Sequence, residues 1–288
     1  MHQCAYAKLN ITLDITGRRA DGYHLLDSVF HTIDLCDTLS LTGQPQGISL
    51  HCTPKTLQTA DNLVLRAAHA FLARTPRRNG VHFTLCKSIP TQAGLGGGSA
   101  DAAAALQLLN RSAGHPHSLQ QLMALGLSLG ADVPFALAGG TQRVMGVGER
   151  LTPIALHRPY FFVLIQPQQG LSTGQIYACY DENPSPVHPH TSAFIQAFET
   201  HDYTALRALG GNALQQAAEQ LCPSIAVIER ALYHHGAALA AMTGSGSVVF
   251  GLFERAEQAA QAQKALAPHW PVCLCAQSLL PAADTSAG

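Results

Sequence analysis

Ile89-Pro90-Thr91-Gln92-Ala93-Gly94-Leu95-Gly96-Gly97-Gly98-Ser99-Ala100-Asp101-Ala102-Ala103 runs a four-glycine loop straight into an alanine-rich helix. Glycines let a backbone approach an anion closely, and the free N–H groups of the helix that follows point at that anion with the positive end of the dipole. The stretch therefore reads as a phosphate cradle. It is neither of two familiar anion loops. A Walker A loop needs Lys-Ser/Thr after its last glycine, where Ser99-Ala100 stands, and the dinucleotide fingerprint Gly-x-Gly-x-x-Gly ends here in Ser99. A plain helix start, with Ser99 as N-cap and Asp101 in the first turn, accounts for one serine but not for four glycines.

Outward from the loop, the chain alternates strands and helices. Residues 4–14 place Ala5, Ala7, Leu9, Ile11 and Leu13 on one face and Tyr6, Lys8, Asn10, Thr12 and Asp14 on the other, a half-buried strand with Lys8 and Asn10 side by side. Residues 16–24 read as a polar loop before a second apolar run, 25–33; residues 39–41, 48–51 and 81–85 read as further strands, and 61–72 as a capped amphipathic helix. Helices are expected over 99–109 and 118–129. Gly130-Ala131-Asp132-Val133-Pro134 then opens a short helix for which Asp132 is an N-cap candidate. Turns and strands follow at 139–151. A strongly apolar strand over 160–165 opens a second domain, a new segment starts at 170–180, and residues 181–190 form a Pro-rich surface loop. Helical periods cover 191–200, 202–209, 224–234 and 254–266, a glycine turn at Thr243-Gly244-Ser245-Gly246 feeds a β-rich run, and 272–276 is a last strand. This alternation describes a mixed α/β chain.

Composition narrows the function classes. The 288 residues are 47% hydrophobic and 12% charged, enough for a full core in one large domain or two. With 17 basic against 18 acidic side chains and no basic run, neither nucleic acid nor an anionic membrane is expected as a partner. The first residues carry Lys8, Asp14, Arg18 and Arg19 without an apolar core, and no stretch reaches the ~18 apolar residues of a membrane span, so a cytoplasmic protein is expected. Eight scattered cysteines lack metal spacing and read as reduced, mostly buried thiols, with Cys273 and Cys275 on one face of the last strand. His115, His117, His188, His190, His234 and His235 stand beside Pro or turn residues and read as exposed; no metal ligand is assigned.

Three marked segments in this order, the Lys8 strand, the 90–103 loop and helix, and Met242-Thr243-Gly244-Ser245-Gly246, resemble the GHMP kinases. Ala7-Lys8-Leu9-Asn10, Arg19-Ala20-Asp21-Gly22-Tyr23-His24, Asp61-Asn62-Leu63, Lys87-Ser88-Ile89-Pro90, Gly94-Leu95-Gly96-Gly97-Gly98-Ser99 and Gly130-Ala131-Asp132-Val133-Pro134 narrow the resemblance to the branch that phosphorylates the 2-hydroxyl of 4-diphosphocytidyl-2-C-methyl-D-erythritol, in the non-mevalonate isoprenoid pathway. The resemblance implies ATP and Mg²⁺ as cofactors. It also implies a two-domain α/β (α+β) fold: a ribosomal-protein-S5-like nucleotide domain over 1–155 and a ferredoxin-like domain over 156–288, with the active site in the cleft.

Carried over by position, Asp132 is the general base and Lys8 its partner, with Asn10 and Gly244 helping to hold the substrate. Pro90, Gly94, Leu95, Gly96, Gly97, Gly98 and Ser99 embrace ATP. Tyr23 and His24 match a cytosine-recognising pair, and Tyr177 an aromatic that stacks on the base, with Tyr180 as a competitor for that role. These roles suit the chemistry. A hydroxyl attacking a γ-phosphoryl group needs in-line positioning, charge neutralisation and a carboxylate to take its proton, a charge that a neighbouring ammonium favours. One departure stands out: the family usually has two serines after the triple glycine, and the second is Ala100 here, which leaves Ser99 the only hydroxyl in that place. A GHMP kinase for mevalonate, homoserine or a sugar would have no use for the Tyr23-His24 pair, and a catalytically silent nucleotide or metabolite sensor no use for Lys8 with Asp132. The chain is expected to be a monomer or homodimer.

Overall fold

The computed structural model describes residues 1–75 and 79–280. Two long strands dominate its first half, β1 (His2–Arg18) and β2 (His24–Gln44), joined by a tight turn and paired antiparallel along most of their length. The polar loop expected over residues 16–24 is thus only a turn, because the two strands carry their ladder out to Arg18 and His24. The runs 25–33 and 39–41 belong to one strand. At their apparent break the β1–β2 ladder bulges over residues 33–35 and resumes at Cys36 and Asp37, and the carboxylates there accept backbone N–H groups: Asp34 from Gln277, and the fully buried Asp37 from Ser88 and Ile89.

β3 (Ile48–Thr53), α1 (Leu63–Arg74), β4 (Gly80–Cys86), α2 (Gly97–Ser112), α3 (Leu119–Leu127), α4 (Val133–Ala138), β5 (Thr141–Gly146) and β6 (Arg150–Pro153) complete this half. The first sheet runs β3-β4-β2-β1, with β5 pairing the outer part of β2 and β6 pairing β5. Helices α1 and α2 bury their alanine and leucine faces against it around Phe71 and Phe83. Asn62 caps α1 by accepting the Val64 N–H, and Ser118 closes a capping box with Gln121 at the start of α3.

The second half contributes β7 (Phe161–Gln166), α5 (Thr173–Glu182), α6 (Thr191–Thr200), α7 (Tyr203–Leu209), β8 (Gly211–Asn212), α8 (Gln215–Leu221), α9 (Ser224–His234), β9 (Leu239–Met242), β10 (Val249–Phe253), α10 (Ala256–Leu266) and β11 (Val272–Gln277). Its antiparallel sheet has the order β11-β7-β10-β9. Neither α8 nor β8 was expected; β8 is too short to carry a period, yet it pairs in parallel with β1 at Thr12 and Leu13. One face of the second sheet packs on α5, α8, α9 and α10, and the other meets β1 and β2 in a core holding Leu9, Ile11, Phe162, Phe250 and the α6 residues Phe194 and Phe198.

That packing corrects the reading of β1 as half-buried. Lys8, Asn10 and Thr12, on its polar face, are as enclosed as the leucines opposite, because the loop between β9 and β10 covers them and their polar groups bond among themselves. The cysteines are less buried than expected: Cys52, Cys222 and Cys273 are buried, Cys4, Cys36 and Cys179 half-buried, and Cys86 and Cys275 exposed, the last because β11 is an edge strand. His117 is half-buried rather than exposed, its ring edge-on to Phe71 and its Nε2 2.7 Å from the Thr75 hydroxyl. Among the described residues no helix is long and apolar enough to cross a membrane.

Candidate active site

The glycine loop forms one wall of a cleft of roughly 1280 Å³. Apart from the competitor Tyr180, every site residue named from the sequence lines it: Lys8 and Asn10 from β1, Tyr23 from the β1–β2 turn, His24 from the start of β2, Pro90 and Gly94 to Ser99 from the loop, Asp132 before α4, Tyr177 on α5, and Gly244 beyond β9.

Lys8 and Asp132 meet at the centre. The Lys8 Nζ stands 3.5 Å from Asp132 Oδ2, hydrogen-bonds Asn10 Oδ1, and lies 4.8 Å above the centre of the Phe30 ring. Asp132 occupies the N-cap position of α4, but its side chain caps nothing, so its carboxylate is left for the cleft. Gly96 fits between loop and pair: its φ is +69°, and a Cβ there would come within 3.0 Å of the Lys8 side chain. Gly96 is also the N-cap of α2, which starts at Gly97, so Ser99 is an early helical residue rather than the cap; the four glycines put the N-terminus earlier than a serine cap would. Ala100 does not line the cleft; it is 3% exposed and lies in the core of the first sheet, on the side of α2 that meets β1 and α4.

Asn10 ties β1 to the third glycine motif. Its N–H donates to the Thr243 hydroxyl at 2.9 Å, and its side-chain amide donates to Ser28. Asn212 on β8, a residue without a motif around it, donates to the carbonyls of Met242 and Gly244 at 2.7 and 2.8 Å and so fixes that turn.

At the other end of the cleft, His24 stacks on Tyr177 with ring centres 4.7 Å apart and planes 30° from parallel. Tyr180 meets the same imidazole edge-on from the core and does not line the cleft. Burial, then the nearby charge of Asp132, raises the Tyr177 hydroxyl above its ordinary range and keeps it protonated. Asp181, assigned from the sequence to a surface loop, lies within α5 because the helix runs on to Glu182. It binds His24 Nε2 at 2.7 Å and Arg18 Nη1 at 3.0 Å, tying the β1–β2 turn to α5.

Sequence reasoning also missed a buried charge cluster under the loop. Lys87 Nζ contacts Asp101 Oδ2 at 2.7 Å and hydrogen-bonds Asp37 Oδ2. Burial, reinforced by the Asp37 charge, pushes the Asp101 carboxyl up to about 7 against the opposing pull of Lys87. Burial disfavours the Lys87 ammonium, but the two carboxylates outweigh it and raise its pKa. Asp37, Lys87 and Asp101 are too far apart in the chain to form a local signal. Among the described residues no three His, Cys, Asp or Glu side chains gather as a metal cage.

Two family models match the chain: the GHMP kinases N terminal domain over residues 62–140 and the GHMP kinases C terminal over 194–272. Over 251 residues the chain is 47% identical to a 4-diphosphocytidyl-2-C-methyl-D-erythritol kinase of Paracidovorax citrulli, covering 85% of this chain and 84% of that protein. It is 42% identical over 257 residues to the kinase of the same name from Desulfitobacterium hafniense, covering 88% of each. A crystal structure of 4-(cytidine 5'-diphospho)-2C-methyl-D-erythritol kinase superposes with a TM-score of 0.83 at 32% identity, over 96% of this chain and 98% of that one.

Proposed function

The chain belongs to the 4-diphosphocytidyl-2-C-methyl-D-erythritol kinase family of the GHMP kinases, which are ATP-dependent phosphotransferases, and from that membership we propose how its residues divide the reaction. The reaction is phosphorylation of 4-diphosphocytidyl-2-C-methyl-D-erythritol by ATP.

The single observation that carries the assignment is the Lys8–Asp132 pair, 3.5 Å apart and set against Gly96 of the loop. Asp132 takes the proton of the substrate 2-hydroxyl as that oxygen attacks the γ-phosphorus. Lys8, held by Asn10, orients the hydroxyl and offsets the charge that builds between nucleophile and phosphoryl group. The backbone N–H groups at the start of α2, aimed by the glycines, hold the ATP phosphates in line.

At the far end the cytosine ring inserts beside Tyr177 and Tyr23, with His24 reading its polar edge and Asp181 holding the imidazole in place. Mg²⁺ fits this cleft as an ion carried in on ATP: it needs few protein oxygens, and the Ser99 hydroxyl lines the wall, whereas position 100 is turned into the core. When bound, it neutralises charge on the transferring group; Ser99 and phosphate oxygens would hold it. All eight cysteines are free thiols, in keeping with the reducing cytoplasm as the site of action.

The test is ADP release from MgATP with the cytidyl substrate, run beside mevalonate, homoserine and galactose. Turnover confined to the cytidyl substrate is expected; turnover of another alcohol, or of none, overturns the substrate assignment.

A further inference from the structure

The loop that holds the phosphates is nine residues long between Lys87 and Gly97, and its two ends lie within one ammonium's reach of each other. Lys87 follows β4 directly; Asp101 lies one turn into α2; and Lys87 Nζ touches Asp101 at 2.7 Å. From beneath, Asp37 on β2 bonds the same ammonium and also accepts the N–H groups of Ser88 at 2.5 Å and Ile89 at 2.8 Å, the first residues of the loop. One lysine thus joins three elements: the sheet, the strand that delivers the loop, and the helix that receives it.

The cluster is deeply buried. The Lys87 side chain is 8% exposed, that of Asp101 5%, and Asp37 not at all. Among the described residues Asp101 Oδ1 has no hydrogen-bond partner, and Lys87 is the one cation that meets this carboxylate, beside the carboxylate of Asp37. Buried ion clusters of this kind are weak contributors to stability, since desolvation offsets most of their attraction. Their geometry is what a loop can use. The ammonium also lies directly under the loop, 3.2 Å from the point where a Cβ on Gly97 would stand, and it lines the cleft floor.

We propose that Lys87, clamped between Asp37 and Asp101, is a positioning residue for ATP: it sets the span of the glycine loop and so the aim of the N–H groups at the head of α2. This rests on the reading of that loop as the ATP cradle. Lys87 takes no part in the proton transfer at Asp132, and the cytidyl substrate binds at the other end of the cleft, so its loss separates the two substrates kinetically.

Steady-state kinetics of the full chain, with denaturation midpoints on the same samples, test this. Lys87→Met is expected to raise KM for MgATP at least tenfold while KM for the cytidyl substrate and kcat at saturating ATP stay within about threefold. Lys87→Arg, which can still bridge both carboxylates, is expected to bring KM for MgATP back to within threefold of wild type. The double variant Lys87→Met with Asp101→Asn removes the orphaned like charge; it is expected to regain the denaturation midpoint and keep the high KM. If the double variant also regains the wild-type KM, Lys87 is only a counter-charge and the proposal is overturned. An unchanged KM in Lys87→Met overturns it as well. If Lys87→Met does not fold, the Arg and double variants decide by the same criteria. A wild-type chain that turns over MgATP with none of the alcohols overturns the kinase reading itself, a result distinct from those that overturn the clamp.

Discussion

The two ends of the cleft are built differently. Under the glycine loop, charges are enclosed and held by several partners: Lys8 by Asp132 and Asn10, Lys87 by Asp37 and Asp101. At the end proposed to read the base, His24 and Tyr177 are largely enclosed but Tyr23 at 66% exposure and Arg18 at 55% reach into solvent, and one carboxylate, Asp181, secures both Arg18 and His24. Phosphoryl transfer tolerates little misplacement, which favours groups fixed before the substrate arrives. Recognition of a flat base asks for a stacking surface and an edge, which a turn tied down through the single carboxylate of Asp181 can offer. Variants at the first end should therefore appear in kcat or in ATP affinity, and variants at the second in KM for the cytidyl substrate.

The largest expected effect is at Asp132. Asp132→Asn keeps the shape and removes the base, and kcat should fall about 10³-fold, with ATP binding retained, as read by rapid-quench turnover and by calorimetric titration with ATP. Lys8→Met should follow at about 10²-fold in kcat, because the ammonium that offsets charge at the reacting centre is gone while Asp132 remains. A drop in ATP affinity that accounts for either loss would erase the contrast between the two ends.

At the base end, Tyr177→Ala should raise KM for the cytidyl substrate about tenfold with kcat nearly unchanged, since a base–aromatic stack is worth ~1–3 kcal/mol. Tyr177→Phe should lie close to wild type, because the buried hydroxyl stays neutral and the ring does the stacking.

Between the two sheets, His31 is fully buried, with Nδ1 2.8 Å from the Thr141 hydroxyl and Nε2 2.8 Å from that of Ser278. Burial lowers its pKa to about 3. The unfolded chain binds a proton at its ordinary value near ~6.5 while the native state refuses it, so stability should fall as pH drops from about 6.5 towards 3. His31→Gln should flatten that part of a denaturation-midpoint profile against pH. The smallest effect belongs to Ala100→Ser: with the side chain turned into the core, KM for MgATP should change by less than about twofold, and a larger fall would show that a hydroxyl there reaches the phosphates.

Much of this was legible in the chain. Short-range patterns carried it: alternation in β1, glycines before α2, Pro134 in α4, and caps such as Asn62. The site residues named from the sequence were reached through short motifs that resemble those of the GHMP kinases. What escaped depends on distance in the chain. Asp37, Lys87 and Asp101 become neighbours only when β2, β4 and α2 assemble, and two residues of β8 join β1 without any periodic signature. Asp181 was misplaced for a related reason: a proline-rich stretch follows it, but α5 continues past it far enough to bring its carboxylate under His24.

The most direct test of the account is a single-turnover measurement of phosphoryl transfer from ATP to 4-diphosphocytidyl-2-C-methyl-D-erythritol by wild type and Asp132→Asn, both substrates saturating and ATP affinity measured on the same preparations. A rate lower by about 10³-fold in the variant, with ATP binding within threefold of wild type, is the predicted result. A variant that transfers phosphate within tenfold of wild type would contradict it, and would remove Asp132 from the chemistry of the cleft.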